Sequence, residues 1–281
     1  MRFALRYHAE YRYDGPVYDQ HNVVRVKPAG TPLQRVRGFR MAVEPSARTR
    51  TYADYFGTEV IEFNIPGEHD RLAITAEAEV TTQAPPDPPA GSWDELRGRV
   101  YTDAGGEFLL HTDDEPPNGA LADLRSAIAA DDPLGTLRRI CEVIPDRFEY
   151  SPGATFVGST VDDLLEGGAG VCQDFVHLSL ILLRDHGIAA RYVSGYLFAA
   201  PDDGEDSVEV DTHAWVEALL PGSEPQWVGA DPTNRKLAGE EHVKIGHGRF
   251  YGDVAPIRGV YKGAAATSEH DVNVKMTRFT K

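Results

Sequence analysis

One of the chain's two cysteines follows a glycine-rich turn and opens a stretch with helical periodicity. It lies in Gly170-Val171-Cys172-Gln173-Asp174-Phe175, and apolar residues continue at three- and four-residue steps to a stop at His186-Gly187. A thiol at the start of a helix ionises readily because unpaired N–H groups and the helix dipole stabilise the thiolate. Cys172 is therefore a candidate nucleophile.

A histidine and an aspartate on predicted strands follow the cysteine. Thr212-His213-Ala214-Trp215 places His213 on one strand, and Ala230-Asp231-Pro232 places Asp231 at the end of another. His213 can hold the thiol proton and deliver it to a leaving amine, while Asp231 fixes the imidazole tautomer. The three residues are far apart in sequence, so only the fold can bring this Cys-His-Asp triad together. A thioester acyl-enzyme is the implied intermediate.

The oxyanion of such a reaction needs two hydrogen-bond donors about 3 Å away. The backbone N–H of Cys172 is a natural first donor. Gln173, Tyr150 or another backbone N–H could supply the second. Trp215 could wall the cleft beside His213 or pack as an ordinary buried aromatic. Loops such as residues 199–206 are expected to carry the substrate subsites.

A zinc site is the main chemical alternative. Its potential ligands are Cys172, His177, His213, His242 and His247. The sequence has no Cys-x-x-Cys pair and no His-Glu-x-x-His motif, so we expect no metal. It also lacks an Asp-x-Asp-x-Asp-Gly loop, so we expect no calcium dependence and no cofactor.

The remaining candidate side chains are predicted to be structural. His177 lies about 140° around the helix from Cys172, and Asp174 is placed to cap the first turn. His242 and His247 fall in a glycine-rich tail and are predicted to be loop residues. Cys141 lies in an apolar helical pattern, which predicts a buried core position.

Composition limits the partners. The chain has 28 basic and 44 acidic side chains, a net charge of −16, which argues against nucleic acid or an anionic membrane as partner. It has no run of about 18 apolar residues, and its charged opening is unlike a signal peptide. Two cysteines make no disulfide framework. We therefore expect a cytoplasmic protein that acts on a peptide or protein, with its oligomeric state open.

Patterning divides the chain into three segments. Residues 1–82 alternate in the manner of an antiparallel β domain, and residues 83–118 form a proline-rich linker and irregular segment. Residues 119–281 begin with helical periodicity and continue as strands with a C-terminal tail. The predicted fold class is α+β, with the cysteine helix packed on an antiparallel sheet.

Several blocks of the sequence together resemble the transglutaminase-like superfamily. They are Gly170–Phe175, Ala190–Tyr196, His213–Glu217 and Asp231–Asn234, with a tail from His242 through Gly259 and an N-terminal Asp54-Tyr55-Phe56-Gly57. The last two resemble bacterial members, proposed cysteine proteases with an N-terminal β region. The resemblance implies a papain-like core in which Cys172, His213 and Asp231 are nucleophile, general base and orienting residue.

The resemblance leaves three functions open. The first is a cysteine peptidase or amidase, which we favour because water is always available to the thioester, whereas transamidation needs a dry site with a bound amine. The second is a protein-glutamine transamidase that crosslinks. The third is a catalytically inactive module that binds peptides.

Overall fold

A computed structural model describes residues 1–112, 116, 118–156, 158–200 and 206–279 of the chain. The architecture is α+β, as the sequence predicts, with two antiparallel sheets and helices packed against the second. No helix within these ranges is long and apolar enough to cross a lipid bilayer.

The described residues form fifteen strands and six α-helices. The strands are β1 (Arg2–Val24), β2 (Gln34–Glu44), β3 (Thr49–Ala53), β4 (Glu59–Ile65), β5 (His69–Thr82), β6 (Glu149–Tyr150), β7 (Ala169–Gly170), β8 (Ala190–Leu197), β9 (Ser207–Val210), β10 (His213–Leu220), β11 (Gln226–Asp231), β12 (Lys236–Leu237), β13 (His242–Gly248), β14 (Ile257–Gly263) and β15 (Ser268–Arg278). The helices are α1 (Arg99–Gly105), α2 (Ala122–Ile128), α3 (Pro133–Arg147), α4 (Val161–Gly167), α5 (Cys172–Asp185) and α6 (Tyr251–Val254).

The first sheet is built around the long strand β1. It pairs with β5 on one side and with β15 on the other, and β2 lies outside β5. Phe3, Leu5, Tyr7 and Ala9 are buried at every second position of β1, as their alternation predicts. Their side chains therefore form one wall of the first core.

The C-terminal tail completes this sheet. β14 and β15 both pair antiparallel with β1, and β9 pairs with β15. The sequence pattern predicts these residues as the end of the segment 119–281, whereas the structure joins them to the strands of residues 1–82. The pairing covers an edge of β1 and fully buries Val274 and Met276.

The segment 83–118 is more ordered than a linker. It contains α1 and two short 3₁₀ turns, Glu95–Arg97 and Gly106–Leu109. The Tyr101 hydroxyl donates to the carbonyl of Leu219 at 2.9 Å and accepts from the N–H of Ala189 at 2.8 Å. These bonds anchor the segment to the second sheet. Its residues 113–115 and 117 lie outside the described part.

The second sheet carries the candidate site, in the strand order β12-β11-β10-β8-β13. Helix α3 begins at a proline, and the Asp132 carboxylate caps it by accepting from the N–H of Gly135 at 2.7 Å. Its buried face packs in one core with α5 and β10. Tyr196, Val243 and Ile245 instead join the core of the first sheet, so the two sheets support each other.

Candidate active site

Cys172 is the first residue of α5, and a tight local structure fixes its position. Asp174 caps the helix: its carboxylate accepts from the Val171 N–H at 2.8 Å and from the Thr155 hydroxyl at 2.5 Å. A Cβ at Gly170 would lie 2.8 Å from that carboxylate, so only glycine leaves room for it. The predicted capping role of Asp174 is confirmed, and the partly exposed Cys172 sits where helix N–H groups are unpaired.

His213 begins β10, and Asp231 ends the neighbouring strand β11. The His213 Nε2 and the Asp231 Oδ2 lie 2.8 Å apart, with the His213 side chain 11% exposed and Asp231 fully buried. Cys172 lies close enough to His213 to help raise the pKa of its imidazole. Because Asp231 occupies Nε2, Nδ1 is the ring nitrogen left for the sulfur. The fold therefore places His213 in contact with Asp231 and near Cys172.

The surroundings of His213 favour its charged form. Burial by itself lowers the pKa of the imidazole, but hydrogen bonds and charges from Asp231 and Cys172 outweigh it and raise the pKa to about 9. An imidazolium held at neutral pH is what a thiolate–imidazolium pair requires.

Asp231 is held by donors from several directions. Within the described residues, its Oδ2 accepts from His213 Nε2, from His242 Nε2 at 3.0 Å and from Asn234 Nδ2 at 2.8 Å. Its Oδ1 accepts from the backbone N–H of Asn234 at 3.1 Å. Burial alone would raise the pKa of this carboxyl, but the hydrogen bonds from the two imidazoles hold it well below its usual range. Asp231 is therefore a carboxylate at neutral pH.

Tyr150 and Gln173, the two predicted oxyanion donors, lie in different surroundings. Tyr150 is half exposed and lies near the thiol: burial raises the pKa of its hydroxyl, and the charge of Cys172 adds to that. Gln173 lines a cavity of about 530 Å³ together with His177 and Tyr251. Tyr150 therefore lies near the nucleophile, whereas Gln173 faces a cavity between α5 and α6.

The chain matches known proteins over most of its length. Residues 3–81 match the bacterial transglutaminase-like N-terminal region, and residues 123–232 match the transglutaminase-like superfamily. An uncharacterized protein from Mycobacterium leprae is 36% identical over 282 residues, which cover 99% of both chains. The chain belongs to the transglutaminase-like superfamily.

Two further proteins resemble this transglutaminase-like protein, one in part of its sequence and one in its fold. A protein-glutamine gamma-glutamyltransferase from Pseudomonas aeruginosa is 31% identical over 129 residues, which cover 42% of this chain and 19% of that protein. A proposed cysteine protease from Cytophaga hutchinsonii is 21% identical, with a TM-score of 0.73 over 97% of this chain and 90% of the other. The second likeness shows a common fold.

In this transglutaminase-like protein, Trp215 is a buried side chain that packs against both His213 and His242. Its side chain is 2% exposed. The ring stacks with the His213 ring, with the centroids 6.2 Å apart, and it contacts the His242 ring edge-on, with the centroids 5.2 Å apart. A Cβ at Gly195 would lie 2.5 Å from Cη2 of Trp215, and one at Gly229 would lie 3.3 Å from Nε1. Trp215 is thus a buried aromatic seated over two glycines rather than an open wall of the cleft.

His242 was not predicted as a site residue. The glycine-rich tail predicts a loop position, whereas His242 begins strand β13 and its side chain is 2% exposed against Asp231. His247, also predicted in a loop, lies on the same strand with Nε2 at 3.2 Å from Arg191. Valine and isoleucine alternate at Val243 and Ile245, and this is the signal that indicates a strand here.

His213, Asp231 and His242 also form a cluster whose ligand atoms lie within 4.8 Å of one another, close enough for a metal ion. The backbone N–H of Gly239 donates to His242 Nδ1 at 3.1 Å, so the proton of the neutral ring is on Nε2. A metal would need the lone pair of that Nε2. The arrangement therefore fits a hydrogen bond to Asp231 better than a metal ligand.

Two residues that the sequence predicts to be structural are Cys141 in the core and the partly buried His177. Cys141 is 3% exposed, its Sγ donates to the Lys236 carbonyl at 3.3 Å, and burial raises its pKa to about 12. Burial lowers the pKa of His177 to about 4, and its Nε2 accepts from the N–H of Tyr251 at 3.3 Å. The predicted structural roles of both are confirmed. Residues 201–205 of the predicted subsite loop lie outside the described residues.

Proposed function

We propose that this transglutaminase-like protein is a thiol enzyme that acts on amide bonds through Cys172, His213 and Asp231. The observation that supports it most is the position of His213 between the thiol and a buried carboxylate, with its pKa raised to about 9. Such an arrangement stabilises an imidazolium beside a sulfur nucleophile, and a peptide-binding module has no use for it.

In the first half of the reaction, the thiolate of Cys172 attacks the amide carbonyl carbon, and the C=O electron pair moves onto oxygen. The first-turn N–H of Cys172 and the side chain of Tyr150 or Gln173 donate to this oxyanion. As the oxyanion collapses, the C–N bond breaks and the His213 imidazolium gives its proton to the nitrogen. An amine leaves, and a thioester remains on Cys172.

In the second half, neutral His213 takes a proton from a water molecule whose oxygen attacks the thioester carbonyl. The C–S bond breaks, a carboxylic acid leaves, and Cys172 and His213 return to thiolate and imidazolium. Asp231 keeps its charge throughout and holds the tautomer that presents Nδ1 to the sulfur.

Hydrolysis is the form of this reaction that we favour, which makes the protein a cysteine peptidase or amidase with a peptide or protein substrate. The half-exposed Tyr150 and the partly exposed Cys172 leave the thioester open to water. A second candidate is glutamine transamidation, in which an amine replaces water. The name of the Pseudomonas aeruginosa relative favours it over the matching 42% of the chain. We further propose a cytoplasmic location, which suits two unpaired cysteines.

An activated ester tests the proposal without knowledge of the natural substrate. The protein is mixed briefly with p-nitrophenyl acetate, and the reaction is then quenched rapidly. The intact mass should show one acetyl group on the wild-type protein and none on Cys172→Ala. Adding increasing n-butylamine then separates the two candidates. For a hydrolase, the rate of acetate release does not depend on the amine concentration. For a transamidase, the acetyl group is transferred to the amine as an amide, and the rate of amide formation saturates as the amine concentration rises. Absence of acetylation at Cys172 would contradict both.

A further inference from the structure

Two imidazoles meet the same carboxylate oxygen in this site. His213 Nε2 and His242 Nε2 lie 2.8 Å and 3.0 Å from Asp231 Oδ2. The two rings come from different strands, β10 and β13, and their centroids are 6.3 Å apart. The triad uses the first contact and leaves the second without a role.

The backbone fixes which nitrogen of His242 carries its proton. The N–H of Gly239 donates to Nδ1 at 3.1 Å, and a nitrogen that accepts a hydrogen bond carries no hydrogen in the neutral ring. The proton must then be on Nε2, which donates to Oδ2. The buried ring also packs against the Trp215 indole, so its orientation is fixed on two sides.

We propose that His242 is a positioning residue, a neutral imidazole that holds Asp231 Oδ2 toward His213. The inference rests on the proposed function, because it concerns how the same Cys172–His213 pair is kept charged. A carboxylate turns about its Cβ–Cγ bond unless its oxygens are held. Asn234, in the loop after β11, donates to Asp231 from one side, and His242, at the start of β13, donates to it from another.

Other titratable groups surround this pair of histidines. They are Cys172 on α5, Tyr150 on β6, Asp211 before β10, Cys141 on α3, Lys236 on β12 and Glu241 before β13. Glu241 Oε1 lies 4.0 Å from His242 Nδ1 but is paired with Lys236 Nζ at 2.6 Å. Because that pair is neutral as a whole, Asp231 remains the group that acts on both rings.

The pH dependence of Cys172 alkylation by iodoacetamide, followed by intact mass, tests the inference. His242→Phe keeps a ring but loses the donor. We expect its labelling rate at pH 6 to fall about tenfold to a hundredfold and the acid limb of its profile, on which the thiolate forms, to move to higher pH, because a less stable imidazolium stabilises the thiolate less. His242→Gln, whose amide places an N–H at the same reach, should recover most of both. His247→Phe is the matched control on the same strand and should behave as wild type.

The proposal is overturned if His242→Phe shows the wild-type acid limb and the wild-type labelling rate at pH 6 per folded molecule, or an acid limb at lower pH. A residue that only packs would lower the melting temperature and leave the profile in place. If the phenylalanine variant does not fold, His242→Asn replaces it, since the shorter amide stops short of Oδ2. Equal profiles for the Asn and Gln variants would then refute the inference. Failure of the proposed function would give a different result, because the wild-type protein and His213→Ala would then be labelled at the same rate.

Discussion

Asp231→Asn is the substitution whose effect follows most directly from the structure. The carboxylate accepts from His213, from His242 and twice from Asn234, so its recorded partners are all donors. An asparagine keeps the shape but must turn its NH₂ toward at least one of them. It also removes the charge that, together with Cys172 and against the effect of burial, raises the pKa of His213 from 6.5 to about 9, a net effect of about 3 kcal/mol.

The expected loss of rate follows from that energy. About 3 kcal/mol corresponds to a factor of about 150, and a wrong imidazole tautomer can extend the loss toward about 10⁴. Release of p-nitrophenol in the acetylation assay at pH 7.5 measures it. The alkaline limb of the rate should also move from about pH 9 to lower pH, because burial then opposes a smaller stabilisation of the imidazolium.

The control is Asp146→Asn, which removes an exposed carboxylate paired with Arg235 at 2.6 Å. It should leave the rate and the pH profile unchanged. Circular dichroism checks that Asp231→Asn is folded. If the folded variant retained a third or more of the wild-type rate and the same alkaline limb of the pH–rate profile, Asp231 would have no part in charging His213.

Two further predictions concern the thiol and the support beneath the site. Cys172→Ala should abolish acetylation and leave the melting temperature unchanged. Cys141→Ala should leave the activity of the folded molecules unchanged, because that thiol is buried in the core. Equal losses of activity in the two variants would reject Cys172 as the nucleophile. Gly195→Ala should destabilise the protein by about 1–3 kcal/mol because its Cβ would clash with the Val243 carbonyl oxygen and lie 2.5 Å from the Trp215 ring. Gly38→Ala, at a strand glycine with open space, is the control, and similar unfolding midpoints in urea for both variants would count against that packing.

The sequence predicts the parts of the site that local rules determine. A glycine turn, an acidic cap and an apolar helical stripe around Cys172 all act within a few residues, and the structure contains each of them. Alternation along β1 likewise predicts its buried face. These features need no distant partner, which is why they can be recognised in an isolated sequence.

The features that the sequence does not predict depend on distant pairing. β14 and β15 pair with β1 across more than two hundred residues, so no local pattern indicates which sheet they join. His242 is similar, because it becomes a site residue only through the register of β13 beside β8 and its contact with Asp231. The seat of Trp215 over Gly195 and Gly229 also requires three neighbouring strands to be in place.

The most direct test of the thiolate–imidazolium pair is alkylation of the protein by iodoacetamide at pH 6, followed by intact mass, for wild type, Cys172→Ala and His213→Ala. An ordinary thiol, with a pKa of about 8.5, is almost fully protonated at this pH and labels slowly. The structure predicts fast single labelling of wild type that disappears in Cys172→Ala and slows strongly in His213→Ala. Slow labelling of wild type that is indifferent to His213 would contradict the pair and favour a module that binds without catalysis.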